Sequence, residues 1–367
     1  MTIPFLDLRA AYLELKAEID DAVSRVLESG WYILGGEVEA FETEWANYCE
    51  TRHAISVANG FDALTLALRA LDIGPGDEVI VPSNTYIATW LAVSAVGATP
   101  IPVEPDPATH NIDPSRIEAA LTRRSRALLP VHLYGLPSDL DPILSMARQN
   151  GLAVVEDAAQ AHGARYKGRR IGGHGDVVCW SFYPGKNLGA MGDAGAITTN
   201  RADLAERVRI LRNYGSREKY VNDVQGVNSR LDPLQAAVLR AKLPHLDSWI
   251  ERRRATAEHY RKNLTDIGLL LPHVPDWADP AWHLYVVRSV RRNEIQRHLS
   301  ETGIGTLIHY PIPPHRQAAF ANLGLRPGSL PIAEQLASEV LSLPIGPHLS
   351  SDGALSVIAS IRNLTCQ

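Results

Sequence analysis

One segment of the chain, residues 154–199, combines an acid, a lysine and several glycines in a pattern that suits cofactor chemistry. Asp157 ends an apolar, β-branched run, and Lys186 lies in a loop near Phe182 and Leu188. A carboxylate at a buried strand end needs a cationic or hydrogen-bonding partner, and a lysine among apolar side chains should have a lowered pKa. Pyridoxal phosphate (PLP) joins two such residues, because its aldehyde forms a Schiff base with a lysine and its pyridinium nitrogen pairs with an acid.

Each of these residues alone allows a plainer interpretation. Lys186 could be an ordinary loop lysine, and Asp157 could cap the helix that follows its strand. A Walker phosphate loop is excluded, because Trp180 stands where that motif needs glycine and Asn187 follows the lysine in place of Ser or Thr. Charged or polar surroundings are predicted for the other lysines, which favours Lys186 as the Schiff-base candidate. These lysines are Lys16, Lys167, Lys219, Lys242 and Lys262.

The other parts of PLP also have candidate partners. Gln160 lies one helical turn after the acid and is placed to reach the phenolic oxygen of the ring. Asn59-Gly60 separates an apolar strand from a strong helix, which offers free backbone amides to a phosphate, although a plain strand-to-helix turn has the same pattern. Ser181 could add a hydroxyl, and Tyr86 could stack on the ring or belong to the core.

Length and composition limit the class of protein. The 367 residues are too many for one simple core, so two domains are expected, and a net charge of −5 argues against a nucleic-acid binder. No segment resembles a signal peptide or a membrane span, so a cytoplasmic location is expected. The three cysteines, Cys49, Cys179 and Cys366, are an odd number without metal-ligand spacing, so neither a disulfide framework nor a metal site is predicted.

The middle of the chain alternates short apolar strands with helical patterns, which is typical of an α/β fold with a parallel sheet and helices on both faces. The seven strand candidates are HAISVAN, DEVIVPS, TPIPVEP, ALLPVHLYG, LAVVEDAA, VVCWSFY and GAITT, and one of the helices predicted between them is PSRIEAALT. Ligands of such sheets collect beyond the carboxyl ends of the strands. Gly60, Asp157 and Ser181 all fall there.

Three regions are expected along the chain. Residues 1–30 should form an N-terminal arm, residues 31–243 a large cofactor-binding domain, and residues 244–367 a linking helix with a smaller C-terminal α+β domain. The linking helix is predicted from about Pro244. Its basic run, 252–254, is expected to be a solvated helix face rather than a ligand site.

Four motifs, EDAAQAHGA, SFYPGKNLGAMGDAGA, NGFDALTLALRAL and NSRLDPLQAA, resemble those of the PLP-dependent nucleotide-sugar aminotransferases of fold type I, the DegT/DnrJ/EryC1/StrS family. The resemblance runs from PFLDLRAAY to at least IHYPIPPH, nearly the whole chain. It implies a large domain with a mostly parallel seven-stranded sheet. It also implies that Lys186 is the Schiff-base lysine, Asp157 the pyridinium partner and Gln160 the partner of the phenolic oxygen.

The phosphate group and the oligomeric state are also implied by this resemblance. Gly60, Phe61 and Ser181 would hold the phosphate, and Asn228 of the NSR motif would reach the phosphate of the neighbouring subunit in a homodimer with shared sites. Many relatives have threonine where Phe61 stands. Phe61 offers only its amide, and we interpret it as the mark of a subgroup.

The reaction follows from the same resemblance. L-Glutamate would give its amino group to PLP, and a dTDP-linked 3-keto-6-deoxyhexose would receive it at carbon 3 in amino-sugar biosynthesis. Amination of a 4-keto sugar is the alternative, and the relatives that perform it usually have histidine where Tyr183 stands. A PLP-dependent sugar dehydratase is less expected, because it would replace Lys186 by histidine. A PLP-binding regulator is also less expected, because no helix-turn-helix is appended.

A diphosphate substrate needs cations and hydroxyl donors along its channel. Two loops and one aromatic residue supply the candidates, although a mobile surface segment is the plainer interpretation of the first loop. The candidates are Arg217, Lys219 and Tyr220 in a polar loop, His309, Tyr310 and His315 in a proline-stiffened loop, and Tyr183 close to the lysine.

Overall fold

The computed structural model describes residues 2–365, so Cys366 lies outside the described residues. Seven strands form its main sheet: β1 (His53–Val57), β2 (Glu78–Pro82), β3 (Thr99–Val103), β4 (Ser125–Leu128), β5 (Ala153–Asp157), β6 (Val177–Ser181) and β7 (Gly195–Thr199). Their spatial order is β1-β7-β6-β5-β4-β2-β3, and within this sheet β7 runs in the direction opposite to the other six strands. The predicted α/β class with a mostly parallel seven-stranded sheet is confirmed.

Helices cover both faces of this sheet because successive strand residues point to opposite sides. Val155 and Cys179 pack with the helices of one face, whereas Val154 and Val178 contact those of the other. The α-helices of the described chain are α1 (Leu8–Glu14), α2 (Lys16–Ser29), α3 (Gly36–Tyr48), α4 (Gly60–Ala70), α5 (Ala88–Ala95), α6 (Leu140–Asn150), α7 (Ala202–Leu211), α8 (Pro233–Lys242), α9 (Leu246–Asn263), α10 (Arg292–Glu301), α11 (Pro331–Glu339) and α12 (Ser351–Thr365).

One predicted helix, PSRIEAALT, is wrong. The segment instead forms two separate 3₁₀ turns, Pro114–Arg116 and Glu118–Ala120. A short helix is only marginally stable, because forming its first turn costs more conformational entropy than its few hydrogen bonds offset. Here the chain leaves the second turn at once, and the backbone N–H of Thr122 donates to Ser125 Oγ at 3.0 Å.

The C-terminal part of the chain has a smaller core of its own. Strands β8 (Tyr285–Arg288) and β9 (Val340–Leu343) pair antiparallel, and their apolar side chains pack with α9, α10 and α12. The N-terminal segment contacts both parts, because α2 lies on α8 and Ile3 pairs with Ile304. The predicted boundaries at residues 30 and 243 stay predictions.

Within residues 2–365, every helix is too short or too polar to cross a membrane. The same residues contain no cluster of three or more His, Cys, Asp or Glu side chains arranged to hold a metal ion. Cys49 and Cys179 are buried free thiols.

The basic run 252–254 differs from its prediction at one position. Arg252 and Arg254 make surface ion pairs, with Glu14 and with Glu251, as expected of a solvated face. Arg253 is buried, and its Nη1 donates to the carbonyls of Trp282, His283 and Ile345 at 3.2–3.3 Å. Burial lowers its pKa to about 10.

We expect Arg253→Ala to lower the free energy of unfolding by about 2–4 kcal/mol, because buried carbonyls lose their donor. Arg254→Ala is the matched control, since exposed ion pairs contribute about 0–1 kcal/mol. Urea denaturation of both variants measures the difference. Equal losses would contradict a structural role for Arg253.

Candidate active site

The predicted site lies where the carboxyl ends of β5 and β6 meet. These strands pair in parallel with Asp157 opposite Cys179, and β6 continues to Ser181. The chain then returns as antiparallel β7, with Gly195 opposite Ser181. Lys186 therefore lies in the loop that joins two neighbouring strands, close to the end of a third.

Lys186 is half-buried, and this burial lowers the pKa of its amine to about 8, while the negative charge of Asp157 acts in the opposite direction. The loop is anchored by the buried side chains of Phe182 and Leu188. Its backbone is also held by a hydrogen bond from Lys186 N–H to the carbonyl of Tyr183 at 2.8 Å.

A second lysine shares part of this character, which corrects the expectation that the other lysines lie in polar surroundings. Lys242 is buried, and burial lowers its pKa to about 8. Its Nζ donates to the carbonyl of Gly189 at 2.7 Å. Lys242 thus fastens the loop that carries Lys186, whereas Lys186 is the lysine that interacts with a buried acid.

Asp157 is buried, and removal from water raises the pKa of its carboxyl group. Two hydrogen bonds favour the ionised form, from the backbone N–H of Ala159 at 3.2 Å and from Thr89 Oγ1 at 2.9 Å. Within residues 2–365, Asp157 makes no ion pair shorter than 4.0 Å. A buried carboxyl group in this state fits the cationic ring nitrogen of PLP, which would favour its ionised form.

The start of α4 fits a phosphate group. Asn59 caps the helix by accepting from Asp62 N–H at 2.8 Å, and its carbonyl accepts from Ala63 N–H at 3.1 Å, so the amides of Gly60 and Phe61 remain for a ligand. Ser181 approaches closely: a Cβ atom on Gly60 would lie 2.5 Å from Ser181 Cβ. Only glycine fits at this position.

Two predicted residues from the C-terminal part of the chain reach the same place. Tyr310 OH accepts a hydrogen bond from Gln160 Nε2 at 3.1 Å, and its ring lies 5.3 Å from the ring of Tyr86. His309 is bonded through Nδ1 to Ser342 Oγ at 2.8 Å. Burial and the charge of Lys186 lower the pKa of His309 to about 4, so its imidazole is neutral at neutral pH.

Other predicted site residues contact different groups. His315 is buried, and its Nε2 bonds to Glu334 Oε1 at 3.0 Å. An exposed hairpin, 216–222, carries three candidates: Arg217 pairs with acids of its own surface, and the ammonium group of Lys219 lies over the ring of Tyr220. Tyr183 is exposed close to Lys186. The roles of these residues stay predictions.

Asn228 contacts a surface tyrosine in this chain. Its Nδ2 donates to Tyr214 OH at 2.9 Å, and both side chains are on the surface. The ring of Tyr214 in turn lies below the guanidinium group of Arg230, 5.5 Å from the ring centre.

Sequence reasoning missed two residues of the site. Thr89 donates to Asp157, and it could have been suspected because it follows Tyr86 in the same segment. His283 bonds to Asn187 at 3.3 Å, and burial and the charge of Lys186 place its pKa well below the ordinary value. No motif surrounds His283, so the sequence offered no signal for it.

We expect Asp157→Asn to lower the pKa of Lys186 below about 8, because the ammonium group loses the negative charge that favours it. The pH dependence of amine labelling in cofactor-free protein, followed at Lys186 by peptide mapping, measures this pKa. Lys242 is the internal control, and the pH dependence of its labelling should not change. An unchanged or higher pKa at Lys186 would contradict the interaction.

Comparison with known proteins agrees with this geometry. Residues 13–362 match the model of the DegT/DnrJ/EryC1/StrS aminotransferase family. The chain is 59% identical over 363 residues to the erythromycin biosynthesis sensory transduction protein EryC1 of Saccharopolyspora erythraea, covering 99% of both chains. It is also 59% identical over 361 residues to a dTDP-3-amino-3,4,6-trideoxy-alpha-D-glucose transaminase of Streptomyces venezuelae, covering 98% of this chain and 95% of the relative.

A solved structure has the same fold. The crystal structure of S. venezuelae DesV in complex with a ketimine intermediate superposes with a TM-score of 0.98 at 58% identity, covering 100% of this chain and 99% of the other. The family inferred from the four motifs is thereby confirmed. This chain belongs to the DegT/DnrJ/EryC1/StrS aminotransferase family.

Proposed function

We propose that this protein is a PLP-dependent aminotransferase that moves the amino group of L-glutamate to carbon 3 of a dTDP-linked 3-keto-6-deoxyhexose. The observation that carries the proposal is a half-buried lysine of lowered pKa, Lys186, that interacts with the buried carboxyl group of Asp157 beside a glycine-containing helix start. The transaminase relative from S. venezuelae supports both the reaction and the carbon. Amination of a 4-keto sugar is the alternative.

Each part of the cofactor has a partner in this geometry. Lys186 would take the aldehyde, Asp157 the ring nitrogen and Gln160 the phenolic oxygen, while Tyr86 would stack on the ring. The amides of Gly60 and Phe61 and the hydroxyl of Ser181 would hold the phosphate. When bound, PLP supplies an aldehyde that condenses with amines and a cationic ring that withdraws electrons from the reacting carbon.

The protein's own side chains must then move protons and exclude water. A lysine with a pKa of about 8 can both accept and release a proton near neutral pH, which a general base and acid requires. The flexible stem of Lys186 lets one amine serve two carbon atoms on the same face. Thr89 and the amide of Ala159 hold the carboxylate of Asp157 in a fixed orientation.

The nucleotide sugar is proposed to lie over Lys186. Tyr183, His309 and Tyr310 are placed to contact the sugar, and the exposed hairpin with Arg217, Lys219 and Tyr220 would supply its cations and hydroxyl groups to the diphosphate. His315 would act less directly, because its bond to Glu334 holds the proline-rich loop.

A homodimer with shared sites is part of the proposal. Asn228 is on the surface and bonded to Tyr214, so it is available to a neighbouring subunit. A run of large apolar residues, Trp31, Tyr32 and Ile33, is also exposed, as expected of a surface that a second copy covers. A cytoplasmic location remains a prediction.

The direct test supplies the purified protein with PLP, L-glutamate and dTDP-linked 3-keto or 4-keto 6-deoxyhexoses, and identifies the product by mass spectrometry and NMR. We expect an amine at carbon 3.

Borohydride reduction and peptide mapping should place the cofactor on Lys186, and not on Lys242, whose amine loses its proton as readily. Lys186→Ala should lose about 10²–10⁴-fold in rate, the usual contribution of a positioned proton-transfer group.

Three results would contradict parts of this proposal. Amination at carbon 4 alone would overturn the regiochemistry and leave the class intact. A reduced adduct on another lysine would overturn the assignment of Lys186. A protein that binds PLP but transfers no amino group would instead favour a regulator, a function suggested by the name of the relative EryC1.

Mixed dimers test the shared site. If Asn228 serves the neighbouring subunit, a dimer of one Lys186→Ala chain and one Asn228→Asp chain has both defects in one site and an intact second site. Random mixing of the two inactive variants should then restore roughly a quarter of wild-type activity, since half of the dimers are mixed. If Asn228 served its own subunit, mixing would restore nothing.

A further inference from the structure

Tyr134 has a backbone conformation that is unfavourable for its residue type. Its φ of 61° lies in the left-handed region, although the side chain is bulky and buried. Such a strained backbone conformation persists where contacts with the surrounding structure hold it in place, and residues of this kind cluster at functional sites. The contacts of Tyr134 therefore show what holds it there.

The first contact fixes Gln160. The backbone N–H of Tyr134 donates to Gln160 Oε1 at 2.6 Å. Because an N–H group can only donate, the amide oxygen of Gln160 must face Tyr134, and its NH₂ group must face Tyr310 OH, 3.1 Å away. The orientation of this amide is thereby set by the backbone of Tyr134.

The second contact fixes the loop that follows β8 and α10. The hydroxyl of Tyr134 donates to the carbonyl of His309 and also forms a hydrogen bond with the side chain of Asn84. The same residue is joined to the C-terminal part of the chain through its backbone, because its carbonyl accepts from Leu284 N–H at 3.2 Å. The ring packs edge-on against His110, with 5.8 Å between ring centres.

We propose that Tyr134 is a positioning residue that holds His309 and Tyr310 over the site, and that its hydroxyl sets the affinity for the nucleotide sugar. This inference rests on the proposed function. The two contacts are chemically separable, because the backbone N–H serves Gln160 and the hydroxyl serves His309. A change confined to the hydroxyl should therefore disturb the loop that carries His309 and Tyr310, and leave Gln160 in its orientation toward the cofactor.

The test is Tyr134→Phe, which removes the hydroxyl and keeps the ring. We expect KM for the nucleotide sugar to rise about tenfold, since the hydrogen bond that holds the carbonyl of His309 is lost. KM for L-glutamate, kcat and the visible absorption of the bound cofactor should change less than about twofold, because Tyr134→Phe keeps the backbone N–H that holds Gln160.

Two further variants separate positioning from general destabilisation. Tyr166→Phe is the matched control, because it also deletes the hydroxyl of a buried tyrosine. That hydroxyl donates to Asp139 at 2.7 Å and accepts from the backbone N–H of Asp141 at 3.0 Å at the start of α6, so both KM values should stay unchanged. Ser342→Ala removes the other bond to His309 and should raise KM for the sugar as Tyr134→Phe does. In the double variant, KM for the sugar should rise by less than the product of the two single fold-changes, because both bonds hold the same residue.

An active wild-type enzyme whose KM for the sugar does not change in Tyr134→Phe would overturn this role for Tyr134 alone. Equal changes in Tyr134→Phe and Tyr166→Phe would also overturn it. A wild-type protein that aminates no nucleotide sugar would overturn the proposed function, and this inference with it.

Discussion

The site depends on two opposing effects on the pKa values of Lys186 and Asp157, which are burial and the charge of the other group. Burial favours the neutral form of each group, and the charge of each favours the ionised form of the other. The interaction has this effect because it acts where water is largely excluded. The parallel pairing of β5 and β6 supplies the geometry, since it places the end of one strand beside the loop that follows the other.

Much of the remaining structure holds these two groups in place. Lys242 bonds to the loop of Lys186 from α8, and Thr89 bonds to Asp157 from α5. Arg253 joins α9 to the segment that carries His283. These contacts come from distant parts of the chain, so the site exists only when the sheet, its covering helices and the C-terminal segment are assembled together.

The sequence predicted the positions of residues at strand ends, because apolar alternation locates strands and parallel strands end at one edge. Gly60, Asp157 and Ser181 were found in this way. It could not predict Lys242 or Arg253, because whether a charged side chain is buried depends on which carbonyls the rest of the fold brings to it. His315 was assigned from its loop, but its imidazole is bonded to Glu334, which no local pattern indicates.

The close approach of Ser181 to Gly60 has a consequence for how this protein can change over evolutionary time. The neighbouring side chain, Phe61, is partly exposed, and the binding group proposed at that residue is its backbone amide. The side chain at position 61 can therefore change without removing that amide, while any Cβ atom at position 60 would require Ser181 or the helix to move. Homologous enzymes should accumulate diversity at the second residue of this helix and almost none at the first.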